Sequence, residues 1–146
     1  MLCRMLLIVT LSGVTANRPD GTQPKTEKPE AEPAIADLSG YYTCKGQEAN
    51  GKAYSGIAII SKKNDVYVVQ WVVGVGNNFT GIGIRQANTF AASWALTTEK
   101  GTVRGVNLYR VESGPRLIGR WATLPGPGVT QTETLTFLKS LDKEEE

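Results

Sequence analysis

Histidine is absent from all 146 residues. That absence excludes Ser-His-Asp and Cys-His nucleophilic machinery and every histidine-ligated zinc site within this chain. Cysteine is nearly absent: Cys3 lies in an N-terminal segment that reads as removable, which leaves Cys44 with no internal disulfide partner. Its plainest reading is a small buried residue on the first strand; an intermolecular disulfide or a reactive nucleophilic thiol stays open beside it. Carboxylates are sparse in the body of the chain, where Glu48, Asp65, Glu99 and Glu112 sit at or beside turn sequences and only Glu133 lies well inside a strand pattern. A glycosidase-like pair converging in one cleft is therefore not expected. Long apolar runs are missing too, since Leu6–Val14 is too short to span a bilayer as a helix. These absences predict a protein that is not an enzyme, holds no metal or cofactor, and has no membrane span.

What is present falls into four parts. Met1–Ala16 combines Arg4, the apolar run and Val14-Thr15-Ala16, the order of a Sec-type signal peptide, and predicts a secreted or periplasmic protein. No small-residue lipidation context precedes Cys3, which argues against a lipoprotein anchor. Residues 17–37 hold four of the seven prolines among Lys, Glu and Thr with no aromatic residue, the composition of a disordered, semi-extended tether. Residues 142–146 form a short acidic tail. Between them, Leu38–Leu141 carries 11 Lys and Arg against 5 Asp and Glu, a net +6, flanked by an acidic tether and tail. The cations are spread along the body rather than clustered beside stacking aromatics, so nucleic acid is not the expected partner.

The body reads as strands. Alternation and β-branched content mark Gly40–Gly46, Ala53–Ser61, Val66–Val73, Phe79–Gln86, Thr89–Thr97, Val103–Val111, Arg116–Thr123 and Gln131–Leu138. Turn chemistry separates them, beginning with Asn50-Gly51, where both residues tolerate positive φ. Every connection is short enough for a hairpin and too short for a parallel crossover. The expected architecture is all-β: an eight-stranded antiparallel up-and-down meander that closes into a barrel and removes its own edges. One stretch is ambiguous, because the alanine-rich Gln86–Glu99 also suits a helix pairing Phe90 with Trp94. The alternation of Phe90, Ala92, Trp94 and Leu96 favours a strand.

Residues 66–94 pack four glycines between two tryptophans, which raises a phosphate-loop reading. It fails on residue type. After Gly74-Val75-Gly76 the third glycine position of a dinucleotide loop holds Phe79, and Gly81 is followed by Ile82 rather than by Lys and Ser or Thr. Gly81 and Gly83 alternate with Ile82 and Ile84 and so strip one strand face bare, where the strand bends or a bulky neighbour, Trp71 or Trp94, packs close.

The residues that suit a binding site are the three tryptophans, Trp71, Trp94 and Trp121, each on a separate strand, together with Gln70, Arg120 and Glu133. Aromatics at a barrel mouth line ligand cups, and they also build ordinary cores. If the face bearing Leu135 and Phe137 points inward, Glu133 is a buried carboxylate in need of a partner, and Arg120 on the preceding strand is the candidate. The alternative is an ordinary surface pair. Gln70 and Asn107 are further candidates for internal polar groups. Asn78-Phe79-Thr80 also fits the N-glycosylation rule.

The order Leu38-Ser39-Gly40-Tyr41-Tyr42, Tyr54-Ser55-Gly56, Tyr67-Val68-Val69-Gln70-Trp71, Gly81-Ile82-Gly83-Ile84, Ser93-Trp94, Gly105-Val106-Asn107-Leu108-Tyr109, Leu117-Ile118-Gly119-Arg120-Trp121 and Thr132-Glu133-Thr134-Leu135 resembles a family of small secreted bacterial β-barrel proteins, some labelled fibronectin-binding. More remotely, the architecture is similar to lipocalin and avidin barrels, although Tyr41-Tyr42 stands where those usually place Trp and no site motif transfers. The first resemblance implies an adhesive role toward an extracellular protein. The second implies a carrier of a small apolar or aromatic ligand. The sequence therefore predicts an exported binding module in one of these two forms.

Overall fold

The computed structural model describes residues 37–114 and 116–141; the signal-peptide segment, nearly all of the tether and the acidic tail lie outside the described residues. Eight strands follow one another: β1 (Gly40–Gln47), β2 (Ala53–Lys63), β3 (Val66–Val73), β4 (Asn77–Gln86), β5 (Thr89–Thr98), β6 (Gly101–Glu112), β7 (Arg116–Leu124) and β8 (Gln131–Lys139). Each pairs antiparallel with the next, and β8 returns to pair with β1, so the sheet is a closed up-and-down barrel. The ambiguous segment is strand β5, with Ala92 opposite Asn107 and Trp94 opposite Gly105 on β6.

Closure follows from short, well-punctuated connections. Asn64 and Gly51, at turns, take positive φ values of 56° and 82°, which side-chain-poor or amide residues accept at low cost. No hairpin leaves enough chain for a helix or a crossover. The two-residue side-chain period then sends one face of every strand inward. The inward set is Tyr42 and Cys44 on β1, Ala58 and Ile60 on β2, Tyr67, Val69 and Trp71 on β3, Phe90 and Ala92 on β5, Tyr109 on β6, Leu117 on β7 and Leu135 on β8.

The interior is filled unevenly. At the end where the chain enters and the β2–β3, β4–β5 and β6–β7 turns gather, Leu38 closes the barrel with 1% exposure, and its carbonyl accepts the Tyr42 hydroxyl at 2.7 Å. Behind it Phe90 stacks on Tyr109 at 6.1 Å and meets Tyr67 edge-on at 5.5 Å, while Tyr42 packs edge-on against Phe137. A Cβ on Gly83 would run into the Phe90 ring, so the bare position on β4 is the seat of Phe90 rather than of Trp71. The seat of Trp94 is Gly105 on the other neighbouring strand, where a Cβ would collide with the indole.

Candidate functional site

The opposite end, ringed by the β1–β2, β3–β4, β5–β6 and β7–β8 connections, is open. Its interior holds a cavity of about 290 Å³ walled by Trp71, Trp94, Trp121, Phe79 and Tyr54, with Asn107 and Glu133 among its polar lining. That volume lies near the lower end of the ~300–1,000 Å³ typical of ligand pockets. An eight-stranded barrel is about the size at which the interior is either filled by side chains or left able to hold one small ligand. Here one end does the first and the other does the second.

Strand order brings the walls together. Trp71 on β3 lies opposite Phe79 on β4 in the register, and Phe79 packs on Trp94 of β5 with ring centroids 4.6 Å apart. Across the barrel Tyr54 of β2 meets Trp121 of β7 edge-on at 6.2 Å. Leu96, Val73 and Val103 complete the apolar lining toward the mouth, with Glu48 and Asn77 also among the lining residues.

Below the aromatic walls is a buried polar network centred on Glu133, which is 4% exposed. Its Oε2 accepts from the Tyr54 hydroxyl at 2.6 Å and from the Cys44 thiol at 3.1 Å. Its Oε1 accepts from Asn107 Nδ2 at 3.1 Å and from the Tyr109 hydroxyl in a very short contact. Asn107 Nδ2 also donates to the Tyr109 oxygen at 2.7 Å, and Asn107 Oδ1 accepts the Trp94 indole N–H at 2.9 Å. Both carboxylate oxygens thus receive donors, which satisfies a group that would otherwise be costly to bury. The Trp71 and Trp121 indole nitrogens are buried without completing a hydrogen bond, although each lies close enough to the Tyr109 or Tyr54 hydroxyl to ease its upward pKa shift.

Burial, and then the charge of Glu133, push the Cys44 thiol and the Tyr54 and Tyr109 phenols well above their usual ranges. Tyr42 at the closed end is pushed up to about 12, chiefly by burial and then by Asp37. A thiol shifted upward and fully buried is a poor nucleophile, so the Cys44–Glu133 contact does not make the activated thiolate that catalysis would need. No group of three or more His, Cys, Asp or Glu side chains is placed to hold a metal among the described residues.

The six residues singled out by sequence separate by parity. Trp71, Trp94, Trp121 and Glu133 all line the cavity. Gln70 and Arg120 do not: each immediately precedes an inward tryptophan on its own strand, so strict alternation sends it to the exposed outer face. The expected Glu133–Arg120 partnership is corrected accordingly, because four uncharged donors satisfy the carboxylate instead. Asn107 is internal, as its position between Val106 and Leu108 suggested. The contributions of Tyr54, Tyr109 and Cys44 to the polar network were not read from sequence. Cys44 and Glu133 are separated by 89 residues and meet only through the β1–β8 closure.

No protein-family model matches the chain, and no curated protein sequence matches it. Solved structures do. A redesigned β-barrel, b11L5F_LGL, superposes with a TM-score of 0.57 at 14% identity, covering 70% of this chain and 92% of that one. The redesigned β-barrel mFAP1, bound to DFHBI, superposes with a TM-score of 0.50 at 16% identity, covering 70% of this chain and 94% of that one. At such identities the likeness is one of fold: this chain is similar in architecture to redesigned β-barrels, one of which was solved bound to DFHBI.

Proposed function

We propose that the protein is an exported, non-catalytic carrier that takes a small apolar or aromatic ligand into the open end of its barrel. The observation that carries this reading is the cavity of about 290 Å³ walled by three tryptophans above a satisfied polar floor. A core built only for stability would close that space, since unfilled apolar volume costs stability in proportion to its size. The likeness to a redesigned barrel bound to DFHBI supports the same use of the interior. Because all three tryptophans line the cavity, titration of intrinsic fluorescence with a panel of small apolar and aromatic compounds reads occupancy directly. Saturable quenching or a blue shift by at least one compound is expected. A flat response across the panel overturns the proposal. Export is tested separately by the N-terminal sequence of the mature protein, which should begin at Asn17.

A second reading, adhesion to an extracellular protein, draws on the outer surface. Ile82, Ile84, Val106 and Leu108 stand between 54% and 61% exposed on β4 and β6, beside the outward Arg104 and Arg120. Single exposed apolar residues are ordinary, but a contiguous group rimmed by cations suits an acidic partner. Such binding should weaken steeply with salt, and salt-insensitive capture of an extracellular protein argues against it.

A further inference from the structure

The charged lining of the cavity is of one sign, whereas the outer wall carries both, as in the Arg110–Glu112 pair at 2.7 Å. The body holds 11 Lys and Arg, yet none of them lines the cavity, where Glu133 on the floor and Glu48 are the only charged residues among the described residues. The rest of the lining is dominated by aromatic rings, whose faces carry negative partial charge.

Glu133 faces donor groups on both of its oxygens. Cys44 and Tyr54 donate to one oxygen and Asn107 and Tyr109 to the other, and the Trp94 indole N–H on Asn107 Oδ1 turns the Asn107 amide N–H₂ toward the carboxylate and Tyr109. That is the arrangement of an acceptor-only carboxylate, because a protonated acid would have to give up one acceptor position to donate. The donors are all neutral, so they disperse the charge without cancelling it. The low dielectric of the interior lets the remaining field act strongly on whatever enters.

Resting on the carrier reading above, we propose that the cavity selects organic cations: compact molecules with an apolar or aromatic body and one positively charged nitrogen, such as a quaternary or tertiary ammonium. Trp71, Trp94 and Trp121 supply ring faces for cation–π attraction, and Glu133 supplies the compensating charge from below. Anions are refused by the same groups, since they meet two carboxylates and no cation.

The test uses three probes of similar shape on the full chain: phenyltrimethylammonium, its neutral isostere tert-butylbenzene, and benzenesulfonate. Calorimetry and tryptophan fluorescence give each affinity. The cation is expected to bind about tenfold or more tighter than the neutral isostere, the difference that cation–π and carboxylate contacts supply in a desolvated site, with no binding of benzenesulfonate. Equal or tighter binding of tert-butylbenzene overturns the proposed selectivity while leaving the carrier reading in place. Failure of all three probes, when other apolar compounds still quench the tryptophans, does the same. A flat response to every compound removes the carrier reading itself. Two variants sharpen the result. Glu133→Gln should reduce the cation's advantage at least severalfold. Glu48→Gln, which leaves the buried network intact, should reduce it by a smaller factor. An undiminished cation preference in a folded Glu133→Gln protein overturns the assigned role of Glu133.

Discussion

The two ends of the barrel interior use similar residues to opposite effect. At the closed end Tyr42, Tyr67, Phe90, Leu117 and Leu135 interlock under Leu38 and leave almost nothing exposed. At the open end Tyr54, Trp71, Phe79, Trp94 and Trp121 stand around unfilled space. The difference lies in what sits on the axis. Leu38 supplies a plug at one end, and the Glu133 network supplies a polar floor beneath the cavity at the other. Packing is concentrated in the first region and, on the proposed carrier function, binding in the second, so substitutions of one chemical kind should have different consequences at the two ends.

The largest effect is expected at the boundary between them. Glu133→Gln places an amide N–H₂ among four donors and leaves at least one without an acceptor, at a cost of about 2–4 kcal/mol, measurable as a lowered urea midpoint. Next, Leu117→Ala at the closed end should cost about 3 kcal/mol, because it opens a hole in fully packed surroundings. Leu96→Ala, the same truncation beside the cavity, should cost only about 1 kcal/mol, since that side chain is partly solvated already and no new sealed void forms. Equal losses at Leu117 and Leu96 would erase the contrast.

Alkali probes both ends together. Cys44, Tyr42, Tyr54 and Tyr109 all hold their protons more tightly when folded than at their ordinary values of 9.0 and 10.0. Below about pH 9 folded and unfolded chains are both protonated at these groups, and their contribution is fully present. Above it the unfolded chain releases protons first, so stability falls with rising pH, by at most about 1.4 kcal/mol per pH unit for each group and less where solvent screens it. With no histidine in the chain, thermal unfolding midpoints should stay nearly flat between about pH 6 and 8.5. The smallest effect belongs to the outer wall: Gln70→Ala and Arg120→Ala should each change stability by less than about 0.5 kcal/mol and leave ligand affinity unaltered.

Most of the architecture was legible in the sequence because local rules sufficed. Turn dipeptides and two-residue alternation located all eight strands, and short connections dictated their order. The boundaries moved where ladders run on into tight turns: β4 begins at Asn77 rather than Phe79, directly after Gly76 at φ 78°, and β6 begins at Gly101 rather than Val103. The tryptophans and Glu133 were legible as candidates because bulky or ionisable residues on alternating strands have few places to go. Gln70 and Arg120 were misplaced although the needed signal was present, since neighbours of Trp71 and Trp121 cannot share their face. The partners of Glu133 were beyond reach for a different reason. Tyr54 lies 79 residues away and Cys44 89, and only the register of a closed sheet sets them side by side.

The central claim, that one end of the interior is packed and the other is built to be occupied, is tested most directly by nuclear magnetic resonance. A small aromatic ligand is titrated into isotope-labelled protein while the indole N–H signals of Trp71, Trp94 and Trp121 and the backbone amides of Phe90, Leu117 and Leu135 are followed. All three indoles should shift saturably together, with the closed-end amides nearly still. Indoles that stay in place while the closed-end amides or outer-strand residues move would contradict the account.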